Sequence, residues 1–217
     1  MCKEKKVFIK SRQGIYARYI KRGMDFILSL IAIVILSPLL IVLSILGCLA
    51  MKGNPFFVQE RPGKDEKIFK LIKFRTMSNK KDKEGKLLPD DQRLTRYGKF
   101  LRKTSLDELP ELFNILTGSL AVCGPRPLLK VYLNRYNEYQ KHRHDVRPGL
   151  TGYAQVHGRN AISWEEKFDM DIYYVNHITF WGDLKIIFRT ISTVLRREGI
   201  SSETSVTMEE FRGTKNE

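Results

Sequence analysis

The chain has 217 residues, room for one compact domain plus a membrane element. Lys and Arg number 38 against 24 Asp and Glu, and the resulting charge of +14 suits nucleic acid, an anionic membrane surface or phosphorylated substrates. Cys2, Cys48 and Cys123 are an odd, scattered set without CxxC spacing, which argues against a disulfide framework or zinc site and for reduced thiols facing the cytosol. The His142-x-His144 pair lies in a basic stretch with no third ligand in view, so both are expected to be ordinary surface histidines.

Residues 1–25 read as a basic arm, and residues 26–51 as a membrane segment without a charged side chain. About 20 apolar residues span a bilayer core, so the segment is long enough to enter one. It exceeds a signal-peptide core, and no small-residue cleavage site follows. Lys3, Lys5, Lys6, Lys10, Arg12, Arg18, Lys21 and Arg22 precede it; Lys52, Arg61, Lys64, Lys67, Lys70, Lys73 and Arg75 follow. Basic flanks favour the cytoplasmic side, and here both ends make that demand. A segment that dips in and returns satisfies both. Ser37-Pro38 near its middle offers a break, because proline removes a helix hydrogen bond and a serine hydroxyl can satisfy the freed carbonyl. A kinked crossing helix remains the alternative.

Residues 52–200 read as one cytoplasmic domain, mainly helical with a few short strands, and residues 201–217 as a loosely held polar tail. Strands or extended segments are expected at 56–58 and 68–74, and a polar loop at 80–91. Leu94, Tyr97 and Leu101 recur at helical spacing among Arg93, Arg96, Lys99 and Arg102, a basic amphipathic helix suited to an anionic surface. Further helices are expected at 108–116 and 129–142. Ser163 and Glu166 form a capping box ahead of Trp164, Phe168, Ile172 and Val175. The last helix spans 183–197, with Gly199 as its stop. Its stripe of Leu184, Ile187, Phe188, Ile191, Val194 and Leu195, preceded by Phe180 and Trp181, suits either headgroups or core.

The sharpest candidate for chemistry is Ser105-Leu106-Asp107-Glu108-Leu109-Pro110, where two carboxylates follow Arg102 and Lys103. Ser105 and Glu108 also fit a capping box, a purely structural use. A helix starting at Asp107 instead places Pro110 in the tolerated first turn, with both carboxylates at a positive helix end that could hold a divalent metal and a phosphate. Arg126 in Pro-Arg-Pro and Arg147 before Pro148 sit on loops stiffened by proline, which would aim a guanidinium at phosphate; ordinary rigid turns are the alternative. Lys73 and Arg75 add cations just beyond the membrane segment, either for substrate or as an anchor.

In this order, KRGMDFILS with Ser37-Pro38, FKLIKFRTM, SLDELPELFNILTGSLAVCGPRPLL, VRPGLTGYAQV and FDMDIYYV resemble the bacterial sugar transferases, the small monotopic phosphoglycosyl transferases. The match runs from Lys21 to about Gly213. GRNAISW and the tail GISSETSVTMEEFRG look like members that transfer N,N′-diacetylbacillosamine phosphate; His157 departs from the Asn of many relatives.

The resemblance implies a sugar-1-phosphate moved from a UDP-sugar to undecaprenyl phosphate, with UMP released. Asp107 would be the nucleophile of a ping-pong reaction and Glu108 would help it hold Mg2+. Arg102 and Arg126 would sit at the phosphates and nucleotide. It also implies a re-entrant helix at Ser37-Pro38 and a place on the cytoplasmic face of the bacterial inner membrane, against anionic lipid. A homodimer is left open. The competing classes are a non-enzymatic membrane adaptor and, more weakly, a nucleic-acid binder, since aromatics are not interleaved with the cations in a known motif.

Overall fold

A computed structural model describes residues 14–158, 162–196 and 210–213; it is mainly helical with two small two-stranded sheets. The expectations for residues 1–13, for Arg159 and Asn160, for the Gly199 stop and for most of the tail lie outside the described residues.

A π-helical turn, Tyr16–Ile20, runs into the long helix α1, Lys21–Met51. Helix therefore begins before the apolar run, within the stretch read as a basic arm. Lys21, Asp25, Ser29, Leu40, Leu43 and Gly47 are buried, with Ala32, Ile33 and Leu36 partly buried between them. Steps of three and four residues put these on one face. The rest of α1 exposes Ile27, Val34, Ile35, Ile41, Val42, Ile45 and Leu49. The helix is long and apolar enough to cross a membrane.

Helical structure runs through the expected break, and Pro38 lies inside α1. Pro38 cannot donate to the carbonyl of Val34, four residues back, and Ser37 Oγ donates to that oxygen instead, at 2.8 Å. The hydroxyl heals the gap that the proline opens.

Strands β1, Phe56–Pro62, and β2, Ile68–Phe74, form an antiparallel hairpin in the register Phe56↔Phe74 to Pro62↔Ile68. The polar loop ends in a short helix, α2, Asp90–Arg93. Helix α3, Arg96–Thr104, is capped by Thr95, whose Oγ1 accepts from Gly98 N at 2.9 Å. Leu94 stays outside it. Leu101 is fully buried against Leu40, Leu43 and Phe74, and Tyr97 OH donates to Leu43 O at 2.7 Å. The stripe expected on a lipid surface thus packs on α1.

Helix α4, Glu111–Thr117, closes at Gly118, whose φ of +88° is the left-handed conformation glycine adopts without strain. Arg22 donates to two of its last carbonyls, Ile115 O at 2.7 Å and Leu116 O at 2.8 Å. Asn114 fastens α4 to β2 by accepting from Ile72 N and donating to Lys70 O. Strand β3, Ala121–Cys123, pairs in parallel with β4, Gly149–Thr151.

Between β3 and β4 the expected single helix is three pieces: a 3-10 turn Lys130–Arg135, α5, Glu138–Lys141, and a 3-10 turn His142–His144. Asn137 restarts the helix with its own capping box, and Tyr132 and Tyr136 are drawn into the core. His144 is buried there, not a surface histidine; burial first, then Arg143, lowers its pKa to about 4.

Helix α6, Tyr153–His157, leads to α7, Trp164–Asn176, which opens on the expected Ser163–Glu166 capping box. In α8, Phe180–Arg196, Asp183 and Ile186 are buried while Trp181, Phe188, Ile191 and Val194 stay exposed. The tail is not loose throughout. Phe211 is 2% exposed among Tyr132, Tyr136 and Phe168, and Arg135 donates to its carbonyl.

Candidate active site

The chain leaves α3 through Ser105, held at φ +55°, and forms a 3-10 turn, Leu106–Glu108, before Pro110 leads into α4. Ser105 makes no capping bond through its side chain, so the structural reading of Ser105-x-x-Glu108 fails. Glu108 turns to cations instead. Its Oε1 accepts from Lys73 Nζ at 2.8 Å and from Arg126 Nη2 at 2.6 Å. Lys73 also meets Glu111 at 2.9 Å. Hairpin, acid turn, α4 and the Pro-Arg-Pro loop therefore converge on one point.

The charges there are strongly perturbed. Burial works against the charge on Glu108, but Arg126 and Lys73 outweigh it and bring the carboxyl down to about 2. Glu111, only 3% exposed, goes the other way: burial and then Glu108 push it to about 7. Asp107 is raised by burial and by Glu108, against Lys73, Arg102 and Arg126. Its carboxylate has no hydrogen bond or ion pair to a described residue. Glu108, followed by other carboxylates, holds Arg126 firmly protonated.

Lys73, Arg126 and Glu108 are thus joined directly, with Asp107 beside them. Arg102 lies within electrostatic reach of Asp107 and is oriented by Nε donating to Thr76 Oγ1 at 3.2 Å. Arg75 contributes its main-chain N to Pro55 O, and its side chain makes no described bond to the cluster. Arg147 is elsewhere. Its carbonyl backs onto Gly124, and it lines a cavity of about 60 Å3 with Lys21, Asp25, Lys64 and Asp145.

Glu111 was missed in the sequence, although its place three residues after Glu108 puts it on the same side of a helix. In the sequence Arg61 reads only as a flanking charge. Its Nε is buried without a partner, and Nη1 reaches Pro127 O at 3.4 Å.

The acid turn fits a hard divalent ion. Mg2+ is commonly held by one or two carboxylates with substrate phosphates and water. Asp107 offers an unpaired carboxylate beside Glu108, whose Oε2 makes no described bond. Among the described residues no group of three or more His, Cys, Asp or Glu is placed to hold an ion; water and substrate oxygens would complete its shell.

Comparison with known proteins decides what this arrangement belongs to. Residues 16–197 match the family model described as bacterial sugar transferase. The chain belongs to that family. Bacterial sugar transferases that it resembles include the uncharacterized sugar transferase EpsL of Bacillus subtilis, 53% identical over 75% of this chain and 81% of that protein. The UDP-N-acetylgalactosamine-undecaprenyl-phosphate N-acetylgalactosaminephosphotransferase of Aeromonas hydrophila is 39% identical over 83% of this chain. The exopolysaccharide production protein ExoY of Sinorhizobium fredii is 35% identical over 82% of this chain and 87% of its own length. The match covers only 44% of the Aeromonas protein. Membership makes this bacterial sugar transferase an enzyme rather than a non-catalytic adaptor.

Proposed function

We propose that the protein transfers a sugar-1-phosphate from a UDP-sugar to undecaprenyl phosphate, with release of UMP, through a phosphosugar carried on Asp107. The observation that carries this reading is the Asp107 carboxylate, unpaired among the described residues, next to a Glu108 gripped by Lys73 and Arg126. A carboxylate approaching a diphosphate is repelled, so fixed cations must lower the negative charge it meets. Lys73, Arg102 and Arg126 supply them. An oxygen of Asp107 bonds to the β-phosphorus, and the bond from that phosphorus to the bridging oxygen breaks, releasing UMP. An oxygen of the polyprenyl phosphate then attacks the same phosphorus, and the bond to Asp107 breaks. Mg2+, held by Asp107 and Glu108 together with diphosphate oxygens, would neutralise further charge. Relatives are named for N-acetylgalactosamine, galactose and glucose. Likeness across GRNAISW and the tail favours an N-acetylated amino sugar, diacetylbacillosamine first.

The membrane side of the reading is a re-entrant α1 on the cytoplasmic face of the inner membrane. One domain grips this helix near both ends: Lys21 meets Asp183 and Asp25 accepts from Val122 N, while Leu40 and Leu43 pack on Phe74 and Leu101. A helix crossing outright would carry one of those ends away from the domain. The exposed stripe of α8 suits the headgroup layer beside it.

The test is enzyme in nanodiscs with Mg2+ and a panel of UDP-sugars, without acceptor. A single equivalent of UMP should appear and a phosphosugar should be found on Asp107 by mass spectrometry. Asp107→Asn should abolish both while remaining monodisperse, and chelation of Mg2+ should stop release by the unaltered enzyme. A fully active Asp107→Asn protein would falsify the covalent step.

A further inference from the structure

The hairpin places a third cation on the face that carries Lys73. In an antiparallel pair, directly opposed residues project to the same side and alternate residues share it. Phe57, Gln59 and Arg61 on β1 therefore share a face with Lys73, Leu71 and Phe69 on β2. That face receives the active-site elements: Leu71 packs on Leu112 and Ile115 of α4, and Lys73 meets Glu108 and Glu111. Four residues separate the position opposite Arg61 from Lys73, about 13 Å along the strand. Arg126 enters this space from the Pro-Arg-Pro loop, and Arg61 Nη1 reaches the carbonyl of Pro127 on the same loop.

The three cations differ in how they are neutralised. Lys73 meets two carboxylates and Arg126 meets one. Among the described residues Arg61 meets only neutral acceptors, Gln59 Oε1 at 2.7 Å and Pro127 O, and its Nε is buried without a partner. Burial and then the neighbouring Arg126 pull its pKa down, against the opposing pull of Glu111. Leaving a buried donor unmade is costly, and a phosphate oxygen is the acceptor that a guanidinium fork fits best. Position along the hairpin assigns which phosphate. Lys73 meets Glu108 at the acid turn, whereas Arg61 stands opposite Phe69, four positions further along, and reaches Pro127 O beside Arg126. Arg61 thus lies farther along the hairpin from the acid turn than Lys73 does.

We propose that Arg61 binds the nucleotide-side phosphate of the UDP-sugar, the one that departs in UMP. This rests on the reading of the protein as a UMP-releasing transferase and adds to it a residue that holds the leaving group. The probe is UMP, titrated calorimetrically into the full chain in nanodiscs, alongside steady-state kinetics with the best UDP-sugar. Arg61→Lys keeps the charge and loses the fork; Arg61→Gln loses both. Loss of a charge-assisted hydrogen bond to phosphate corresponds to roughly 10- to 100-fold. UMP affinity should fall by that factor in Arg61→Gln and by less in Arg61→Lys. The value of kcat/KM for the UDP-sugar should fall in parallel, while kcat/KM for the polyprenyl phosphate stays unchanged, because the acceptor reacts after UMP has left. A merely structural role would lower both kcat/KM values together. Unchanged UMP affinity in monodisperse Arg61→Gln, or equal falls in both kcat/KM values, overturns the assignment. If the unaltered enzyme releases no UMP from any UDP-sugar, the transferase reading falls and takes this one with it.

Discussion

Glu111→Gln tests the electrostatics of the site through stability, independently of turnover. Glu111 is almost fully buried, and its carboxyl titrates at about 7 rather than 4.5. A raised carboxyl means that the folded state holds its proton more tightly than the unfolded chain does. Its contribution to stability is complete below 4.5 and is lost as pH rises through about 7. Full ionisation forfeits roughly 3 kcal/mol as an upper bound. Gln has the shape of the neutral acid and never ionises. Glu111→Gln should therefore match the parent at about pH 4 and exceed it at about pH 8 by up to that amount, some 6–12 °C in melting temperature for a chain of this size. Glu108 is perturbed in the opposite direction, but its window lies lower, between 4.5 and about 2. His144, lowered to about 4 by burial, adds stability as pH rises toward 6.5, equally in both proteins. The assay is scanning fluorimetry of both proteins in one detergent across this range. A melting difference that does not change with pH would refute the reasoning, as would a parent protein that gains on the variant as pH rises.

Two further outcomes follow from the fold. Phe211→Ala removes a ring packed among Tyr132, Tyr136, Phe168 and Trp164, and should cost about 3–5 kcal/mol, read as a lower melting temperature; a shift of a degree or less would show that this segment does not anchor the domain. Pro38→Ala restores the donor missing opposite Val34 O and should favour crossing of the membrane. With Cys2 removed, a cysteine at Lys6 should be shielded from an impermeant thiol reagent in intact cells of the parent and become labelled in the variant; external labelling of the parent would end the re-entrant reading.

Much of the site was legible before any coordinates, because it is written in local chemistry. An acidic pair behind a run of cations, arginines beside prolines, and a lysine at the end of an alternating strand were all named as candidates. Three of those residues, Lys73, Glu108 and Arg126, are joined by hydrogen bonds of 2.6–2.8 Å. The same local logic marked the hairpin strands, the Ser163 cap and the serine that serves Val34 O. Composition and hydrophobic pattern settled the apolar helix and the mainly helical class.

What local chemistry does not contain is which faces meet. Arg126 and Arg147 look alike in sequence, each beside a proline, yet only the three-dimensional path of the chain brings Arg126 to Glu108 while Arg147 lines another cavity. The α3 stripe is amphipathic whether it faces lipid or α1, and the packing of Leu101 on Leu40 and Leu43 decided it. Glu111, Arg61 and Phe211 gain their roles from partners far along the chain: Lys73, the Pro-Arg-Pro loop, and Tyr132 with Tyr136. Burial and charge coupling depend on distance in space, and those long-range approaches come only from the tertiary fold.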